Sequence, residues 1–330
     1  MGVPQATIDL DTLYSATWDA LLETKAIDLV YEATPLTYFL LKAGNIRSQV
    51  GGTNINVRLM YGKNTTTRFL RIGDQMSVEK AEIITQASYD WKYGGTNIVR
   101  HWQHDQQNAG KSQIADMVLD DINNAKASLM DILEEKLIAG DGTGDDGRDP
   151  DGLQNIVSVT PNVGVVGNLD AAIYPWWRNR LKVSGGIGKL LTDTANLINT
   201  CSRGGAGDTV GVDRPNLAIT DQTTYELYQQ ELVNMYKLVP TDVNIPFPNV
   251  GYFGMPIMWS AASDVNKGEL RLLNTKYLRM VADPTYQFAM TDWKQSSDVI
   301  NDRMAQIMLV FNLICSNRPK QGVITGITSI

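Results

Sequence analysis

SQIADMVLDDINNAKASLMDILEEKLIA, residues 112–139, is the longest uninterrupted periodic stretch of the chain. Apolar residues at Ile114, Val118, Ile122, Ala125, Leu129, Ile132, Leu133 and Leu137 recur in steps of three and four, which places them in one stripe along a helix. Ser112 is positioned to cap the first turn, Asp116, Asp120 and Asp121 suit the positive end of the helix dipole, and Gly140 marks the stop. Asp131, Glu134 and Glu135 against Lys126 and Lys136 keep the rest of the surface acidic, so the face opposite the stripe is expected in solvent. At ~1.5 Å per residue the segment runs roughly 40 Å, so an elongated molecule is expected to be built along it.

Upstream of the helix the period changes to two. Ile55, Val57 and Leu59 alternate with Asn54, Asn56 and Arg58. Ile83, Thr85, Ala87, Tyr89, Trp91 and Tyr93 alternate on the return, so the two runs form the base of one long hairpin that starts after a turn at Gly51 and Gly52. Its distal part, residues 61–80, is rich in Thr, Gly and charge, with Lys63, Arg68, Arg71, Asp74, Glu79 and Lys80, and has few residues able to build a core. A two-stranded ribbon without a core is marginal alone, so packing on another subunit is expected to hold it. The first 50 residues read as an arm with short helices, its amphipathic stretches 17–31 and 36–41 separated at Pro35.

Downstream lies the acidic loop GDGTGDDGRDPDG, residues 140–152, then a short strand at 153–159, a looped Gly- and Val-rich segment to Ala172, and YPWWRN at 174–179. Helices are expected at 189–201 and 222–236, the second capped by Asp221 after a short strand at 216–220. The last third reads as strands at 269–273, 278–282, 304–316 and 322–327. In the third of these, Ile307, Leu309, Phe311, Leu313 and Cys315 share one face while Met308, Val310 and Ile314 occupy the other, the pattern of a strand central in its sheet.

The totals narrow the function classes. A chain of 330 residues, 43% hydrophobic and 20% charged, buries a sizeable core in one large or two ordinary domains. A formal charge of -7 argues against wrapping nucleic acid through a basic surface, although enclosing DNA without gripping it stays open. Cys201 and Cys315, far apart in sequence, read as reduced, buried thiols, with a single disulfide between them as the alternative. The N-terminus lacks a basic patch followed by an apolar run, and no window approaches the ~18 apolar residues of a membrane span, so a soluble chain without a signal peptide is expected.

Local site signals are weak. Gly110, Lys111 and Ser112 resemble the end of a phosphate-binding loop, but Asp105 stands where its first glycine belongs, and a carboxylate there repels phosphate. His101 and His104, the only histidines, would join Asp105 as metal ligands if helical; a polar linker is the plainer reading. Asp141, Asp145, Asp146, Asp149 and Asp151 make the best ion candidate, yet their order lacks the alternate acids, central glycine and terminal Glu of an EF-hand, so a solvated turn competes. Trp176 and Trp177 beside Arg178 and Arg180 suit base stacking or anchoring in a core or interface, and the lack of a basic field favours anchoring.

Several strings, taken in order, resemble the major capsid proteins of tailed bacteriophages with the Hong Kong 97-like fold. They are WKYGGTNIVRHWQH at 91–104, LEEKLIAGDGTG at 133–144, DGLQNIVS at 151–158, YPWWRN, RPNLAITDQTTYELY at 214–228, FGMPI at 253–257 and LICSNRPKQGVITGI at 313–327. The resemblance covers most of residues 50–330. It implies an α+β chain with an N-terminal arm (1–50), an extended hairpin loop lying over a neighbouring subunit (51–110), and a spine helix with the first part of a peripheral domain (111–188). An axial domain (189–268) and the second part of the peripheral domain, with its long β-sheet (269–330), would follow.

The same resemblance implies a non-enzyme without cofactor that associates with itself as hexamers and pentamers of an icosahedral shell. The shell would enclose double-stranded DNA without sequence-specific binding and without a membrane. A separate scaffolding protein, a portal and, where present, decoration proteins would be its partners, and the virion would be assembled in the bacterial host cytoplasm. Lys63, Arg68, Arg71, Asp74, Glu79 and Lys80 become inter-subunit contact candidates. Two alternatives stay open: an encapsulin-like compartment shell, and a metal-dependent enzyme using the acidic loop or His101 and His104.

Overall fold

The computed structural model describes residues 34–42, 46–75, 82–107, 117–186, 188–202, 213–234, 250–252, 254–262, 267–295 and 302–327. The stretch 17–31, the segment Gly110, Lys111 and Ser112, and the start of the long helix lie outside the described residues. Two compact units are present: Gly94–Asp131 and Phe288–Leu309 belong to one, and Ala33–Tyr93, Ile132–Gln287 and Val310–Ile330 to the other.

In chain order the elements begin with helix α1 (Pro35–Lys42), strands β1 (Ile46–Ser48), β2 (Asn54–Met60), β3 (Ile84–Asp90) and β4 (Lys92–Arg100), and helices α2 (Trp102–Gln107) and α3 (Met117–Ala139). Strands β5 (Val165–Val166), β6 (Leu169–Asp170) and β7 (Arg180–Val183), helix α4 (Leu190–Ser202), strand β8 (Leu217–Thr220) and helix α5 (Gln222–Asn234) follow. The chain continues with β9 (Val250–Tyr252), β10 (Met255–Trp259), β11 (Leu270–Leu273), β12 (Leu278–Met290), β13 (Lys294–Gln295), β14 (Arg303–Cys315) and β15 (Gly322–Thr325). Among the described residues no helix is long and apolar enough to cross a membrane.

The larger unit is organised on a six-stranded sheet in the order β7-β15-β11-β8-β10-β9. Its two central strands are buried along their whole length, Leu217–Thr220 and Leu270–Leu273. Leu191, Leu197 and Cys201 of α4 and Tyr225, Tyr228 and Leu232 of α5 form one core with Ala218, Ile257, Leu270 and Ile324 of the sheet. Gly322 permits the close approach of α4, because a Cβ there would stand 2.8 Å from Cys201 Sγ and 3.0 Å from the Leu197 methyls. Asp221 caps α5 as expected, its Oδ2 accepting from Thr224 N at 3.2 Å. Two expectations need correction. Residues 153–156 form a helical turn instead of a strand, since a short apolar run carries no period to decide between the two. Residues 165–170 form a tight hairpin instead of a loop, with Gly167 and Asn168 both at positive φ (61° and 60°), the backbone of a type I′ turn.

The long helix and the long strands follow the periodic reading, with two exceptions. Ala125, Leu129, Leu133 and Leu137 are buried, but Ile132 is 54% exposed and leaves the stripe. The helix α3 stops at Ala139, and only glycine fits at the next position, since a Cβ on Gly140 would lie 2.4 Å from Lys136 O and 2.5 Å from Pro150 O. Strand β14 is internal, between β12 and β13 with β4 also paired to it, in a sheet that starts with β1 parallel to β12. Strand β12 spans 13 residues, well past the expected end at Ala282, because Pro284 and the positive φ of Phe288 (54°) break its alternation without ending it.

Candidate functional site

The hairpin expected from the sequence is present at its root. Strands β2 and β3 pair antiparallel from Asn54↔Asp90 to Met60↔Ile84, and the register sets Ile55, Val57 and Leu59 opposite Tyr89, Ala87 and Thr85 on one face. Ile55, Leu59, Ala87 and Tyr89 are buried there. Tyr89 OH donates to Cys315 O at 2.8 Å, and Ser88 N donates to Gly167 O at 2.9 Å, which ties the root to the small β5–β6 hairpin. Gly167 lies against the ribbon so closely that a Cβ would fall 2.9 Å from both Ala87 Cβ and Tyr89 Cζ. Past Asp90 the return limb departs from expectation: Trp91 turns in to donate Nε1 to Gly52 O at 3.0 Å, and β4 pairs with β14.

An aromatic platform marks where the hairpin leaves this support. Tyr61 stacks on Trp176, ring centroids 5.1 Å apart and planes at 19°, while Trp177 is buried and donates Nε1 to Val166 O at 3.0 Å. Arg178 donates Nε to Ala171 O and Nη2 to Ala172 O, holding the turn that presents Trp176. Anchoring is therefore what YPWWRN does. Beyond Tyr61, side chains close two turns: Asn64 Oδ1 accepts from Thr66 N (3.0 Å) and Oγ1 (2.7 Å), and Asp74 Oδ2 accepts from Arg71 N at 2.9 Å. Lys63, Arg68, Arg71 and Asp74 are all exposed, whereas Glu79 and Lys80 lie outside the described residues. Sequence reasoning weighed the charges here and passed over the apolar residues between them. Phe69 and Ile72 are fully exposed, at 104% and 108%, and the RFLRI pattern at 68–72 was the available signal.

The acidic turn resolves into separate local roles. Asp141 Oδ1 accepts from Thr143 N at 2.8 Å and Gly144 N at 2.5 Å, and these amides hold its carboxyl below the usual range. Asp149 pairs with Lys136, with Nζ–Oδ1 at 2.9 Å. Asp151 sits between Asn155 and Asn312, both at 3.0 Å, and burial pushes its carboxyl up. Asp145 and Asp146 are exposed and both adopt left-handed backbone (φ 51° and 56°). Lys92, buried, donates Nζ to Gly142 O at 3.1 Å and Gly147 O at 2.6 Å and so holds the turn by its carbonyls. His101 Nδ1 lies 2.7 Å from Asp302 Oδ2; the side chains of His104 and Asp105 lie outside the described ones. Among the described residues no three His, Cys, Asp or Glu side chains are placed to share one metal ion.

Other buried polar residues organise the frame. Glu134 of α3 reaches the first turn of α1: Oε1 accepts from Leu36 N (3.1 Å) and Ser260 Oγ (3.1 Å), Oε2 from Thr37 N and Thr37 Oγ1 (2.7 Å each). Pro35 opens α1 instead of interrupting a helix, and Glu134 supplies acceptors for the next two amides. Burial pushes the Glu134 carboxyl up against the pull of these hydrogen bonds. Arg318 donates Nε to Ile156 O at 2.8 Å, and Lys320 donates Nζ to Ser202 O at 3.2 Å. Cys201 and Cys315 are buried free thiols, pushed up by burial to about 12 and about 11.

No protein-family model matches the sequence, and no curated protein matches it either. Solved structures match along nearly the whole chain. The capsid asymmetric unit of cyanophage A-1(L) is 14% identical with a TM-score of 0.68, covering 93% of this chain and 96% of that one. The mature capsid of bacteriophage PhiM1 is 11% identical with a TM-score of 0.58, covering 93% and 91%. The holo-SrpI encapsulin complex of Synechococcus elongatus PCC 7942 is 11% identical with a TM-score of 0.58, covering 99% of each chain. What is shared at such identity is the fold: the chain has the α+β, Hong Kong 97-like capsid fold.

Proposed function

We propose that this chain is the major capsid protein of a tailed bacteriophage, associating with itself as hexamers and pentamers of an icosahedral head that encloses double-stranded DNA. The observation that carries the reading is the fold shared with the cyanophage capsid over nearly the whole of both chains. Residues 1–50 act as the arm, 51–110 as the strap over a neighbour, 111–188 and 269–330 as the peripheral domain with its spine helix, and 189–268 as the axial domain. Exposed Lys63, Arg68, Arg71 and Asp74 support inter-subunit contact at the strap, and Glu79 and Lys80 join them by sequence position. Individually modest contacts add up through closed symmetry. A formal charge of -7 suits a shell that holds DNA without gripping it. The role is structural, needing neither catalytic residue nor cofactor. A separate scaffolding protein and a portal are its partners during assembly in the host cytoplasm, with decoration proteins where the mature virion carries them.

The 99% mutual coverage with the encapsulin supports a second reading, a cellular compartment shell. Expression alone and with the neighbouring genes, followed by negative-stain microscopy and assay of particle contents, separates the two. Nuclease-protected double-stranded DNA in closed shells supports the phage head. DNA-free shells loaded with protein support the compartment, and a monomer under every condition overturns both.

A further inference from the structure

Strand β7 ends the six-stranded sheet, and among the described residues no strand pairs on its outer side. Its inner side runs parallel to β15, with Leu181 beside Val323 and Val183 beside Thr325. Arg180 N donates to Gln321 O at 3.0 Å and Ser184 N to Thr325 O at 2.8 Å. The amides of 180, 182 and 184 therefore point inward, and the backbone groups of Leu181 and Val183, at the intervening positions, point out. The pleat divides the side chains as well. Lys182 stands beside Ile324 on the face that packs on α4, its Nζ 3.5 Å from Asp193 Oδ1, and Arg180 shares that face. Leu181 and Val183 lie on the opposite face, 39% and 63% exposed. A sheet edge is ordinarily blunted by charge, but both cations of β7 turn toward α4 and leave apolar side chains beside open backbone.

The field at this edge is positive. Strand β7 touches β15, α4 and the short turn Arg318–Lys320, and on these elements Arg180, Lys182, Arg318 and Lys320 stand against one carboxylate, Asp193. Arg318 and Lys320 are buried and donate to backbone and amide oxygens, and exposed Lys189 adds a cation just before α4. Asp193 is already held by Lys182 and by Gly185 N at 2.7 Å. Two acids adjoining these elements are also taken up: Glu231 by the amides of Leu190 and Leu191, and Asp213 by Tyr277 OH and Asn274 Nδ2.

We propose that the β7 edge takes up, as an added strand, an extended segment of a second protein in which apolar and acidic residues alternate. Its backbone pairs with the outward N–H and C=O of Leu181 and Val183, its apolar side chains continue their face, and its carboxylates meet Arg180 and Lys182. Two other occupants fit less well. A second copy's β7, paired so that Leu181 and Val183 stay on one face, sets Arg180 and Lys182 of both copies against each other. A nucleic-acid backbone suits the cations but leaves Leu181 and Val183 in water. The site lies within one chain and does not depend on shell formation.

The test titrates the full chain into a labelled short peptide of alternating valine and glutamate, read by fluorescence anisotropy. Saturable binding is expected, about tenfold or more tighter than for the same peptide with lysine in place of glutamate. Residue-resolved hydrogen exchange on the saturated complex is expected to show the Leu181 and Val183 amides slowed about tenfold or more. No saturable binding, equal affinity for the lysine peptide, or binding without slowed exchange at those two amides overturns the proposal. Val183→Pro deletes one outward N–H and leaves the amides that face β15 in place. It is expected to weaken the peptide about tenfold or more at unchanged melting, and full affinity in this variant contradicts strand addition. If the variant melts lower, the exchange measurement on the unsubstituted chain decides. Self-association of the unsubstituted chain that Val183→Pro abolishes would place a second copy on the edge and overturn the foreign partner.

Discussion

The root and the tip of the β2–β3 ribbon are the same piece of chain under opposite regimes. At the root, seven residue pairs in register bury Ile55, Leu59, Ala87 and Tyr89, and Gly167 packs flush against them. At the tip, Asn64 and Asp74 shape the turns locally, and Phe69 and Ile72 are left wholly in water. An apolar side chain removed from water contributes roughly 1.5–3 kcal/mol, and the tip forgoes that within the protomer. The contrast assigns the root to folding and, under the proposed shell role, leaves the tip for association.

Substitutions can break or sharpen that contrast. Tyr89→Ala removes a buried ring and its hydrogen bond to Cys315 O, and should cost about 3–5 kcal/mol in denaturant unfolding of the isolated chain. Gly167→Ala sets a Cβ into the Ala87–Tyr89 face at positive φ and should cost ~1–3 kcal/mol by the same measurement; a neutral result would mean the root is not closely packed.

Glu134→Gln should cost ~1–2 kcal/mol, because an amide nitrogen replaces an acceptor of the α1 amides. Its pH dependence has a defined sign. Burial raises the folded-state pKa, so the folded chain keeps this proton where the unfolded chain has released it. The resulting stability is complete below the ordinary glutamate range and fades as pH rises through the raised value. The gap between wild type and variant should therefore widen as pH falls from neutral toward that range, and a gap that narrows would show the carboxylate to be held ionised. At the small end, Phe69→Ser with Ile72→Ser should change protomer stability by under ~0.5 kcal/mol.

Legibility in the sequence followed the strength of the period. The root register, the apolar stripe of α3 and the internal β14 were readable because alternation or three-four spacing persisted over many residues. The expected end of β12 at Ala282 falls short because Pro284 and the positive φ of Phe288 interrupt the alternation of a strand that pairing sustains. Glu134 resembled its exposed neighbour Glu135; only its position one turn before buried Leu137 and Ile138 marked it as inward-facing, and its partners on α1 lie 97 and 98 residues away. Ile132 read as core by spacing and proved exposed, since a helical wheel does not show where the covering layer ends. At the hairpin tip the charges drew attention from Phe69 and Ile72, which nothing within the protomer covers.

The most direct measurement compares melting temperature and particle formation for wild type and the Phe69→Ser, Ile72→Ser variant, expressed with the neighbouring genes. An unchanged melting temperature for the unassembled chain, together with closed shells from wild type and none from the variant, is the expected result. Wild-type-like shells from the variant, or a melting temperature lowered by several degrees, would contradict the assignment of the tip to association.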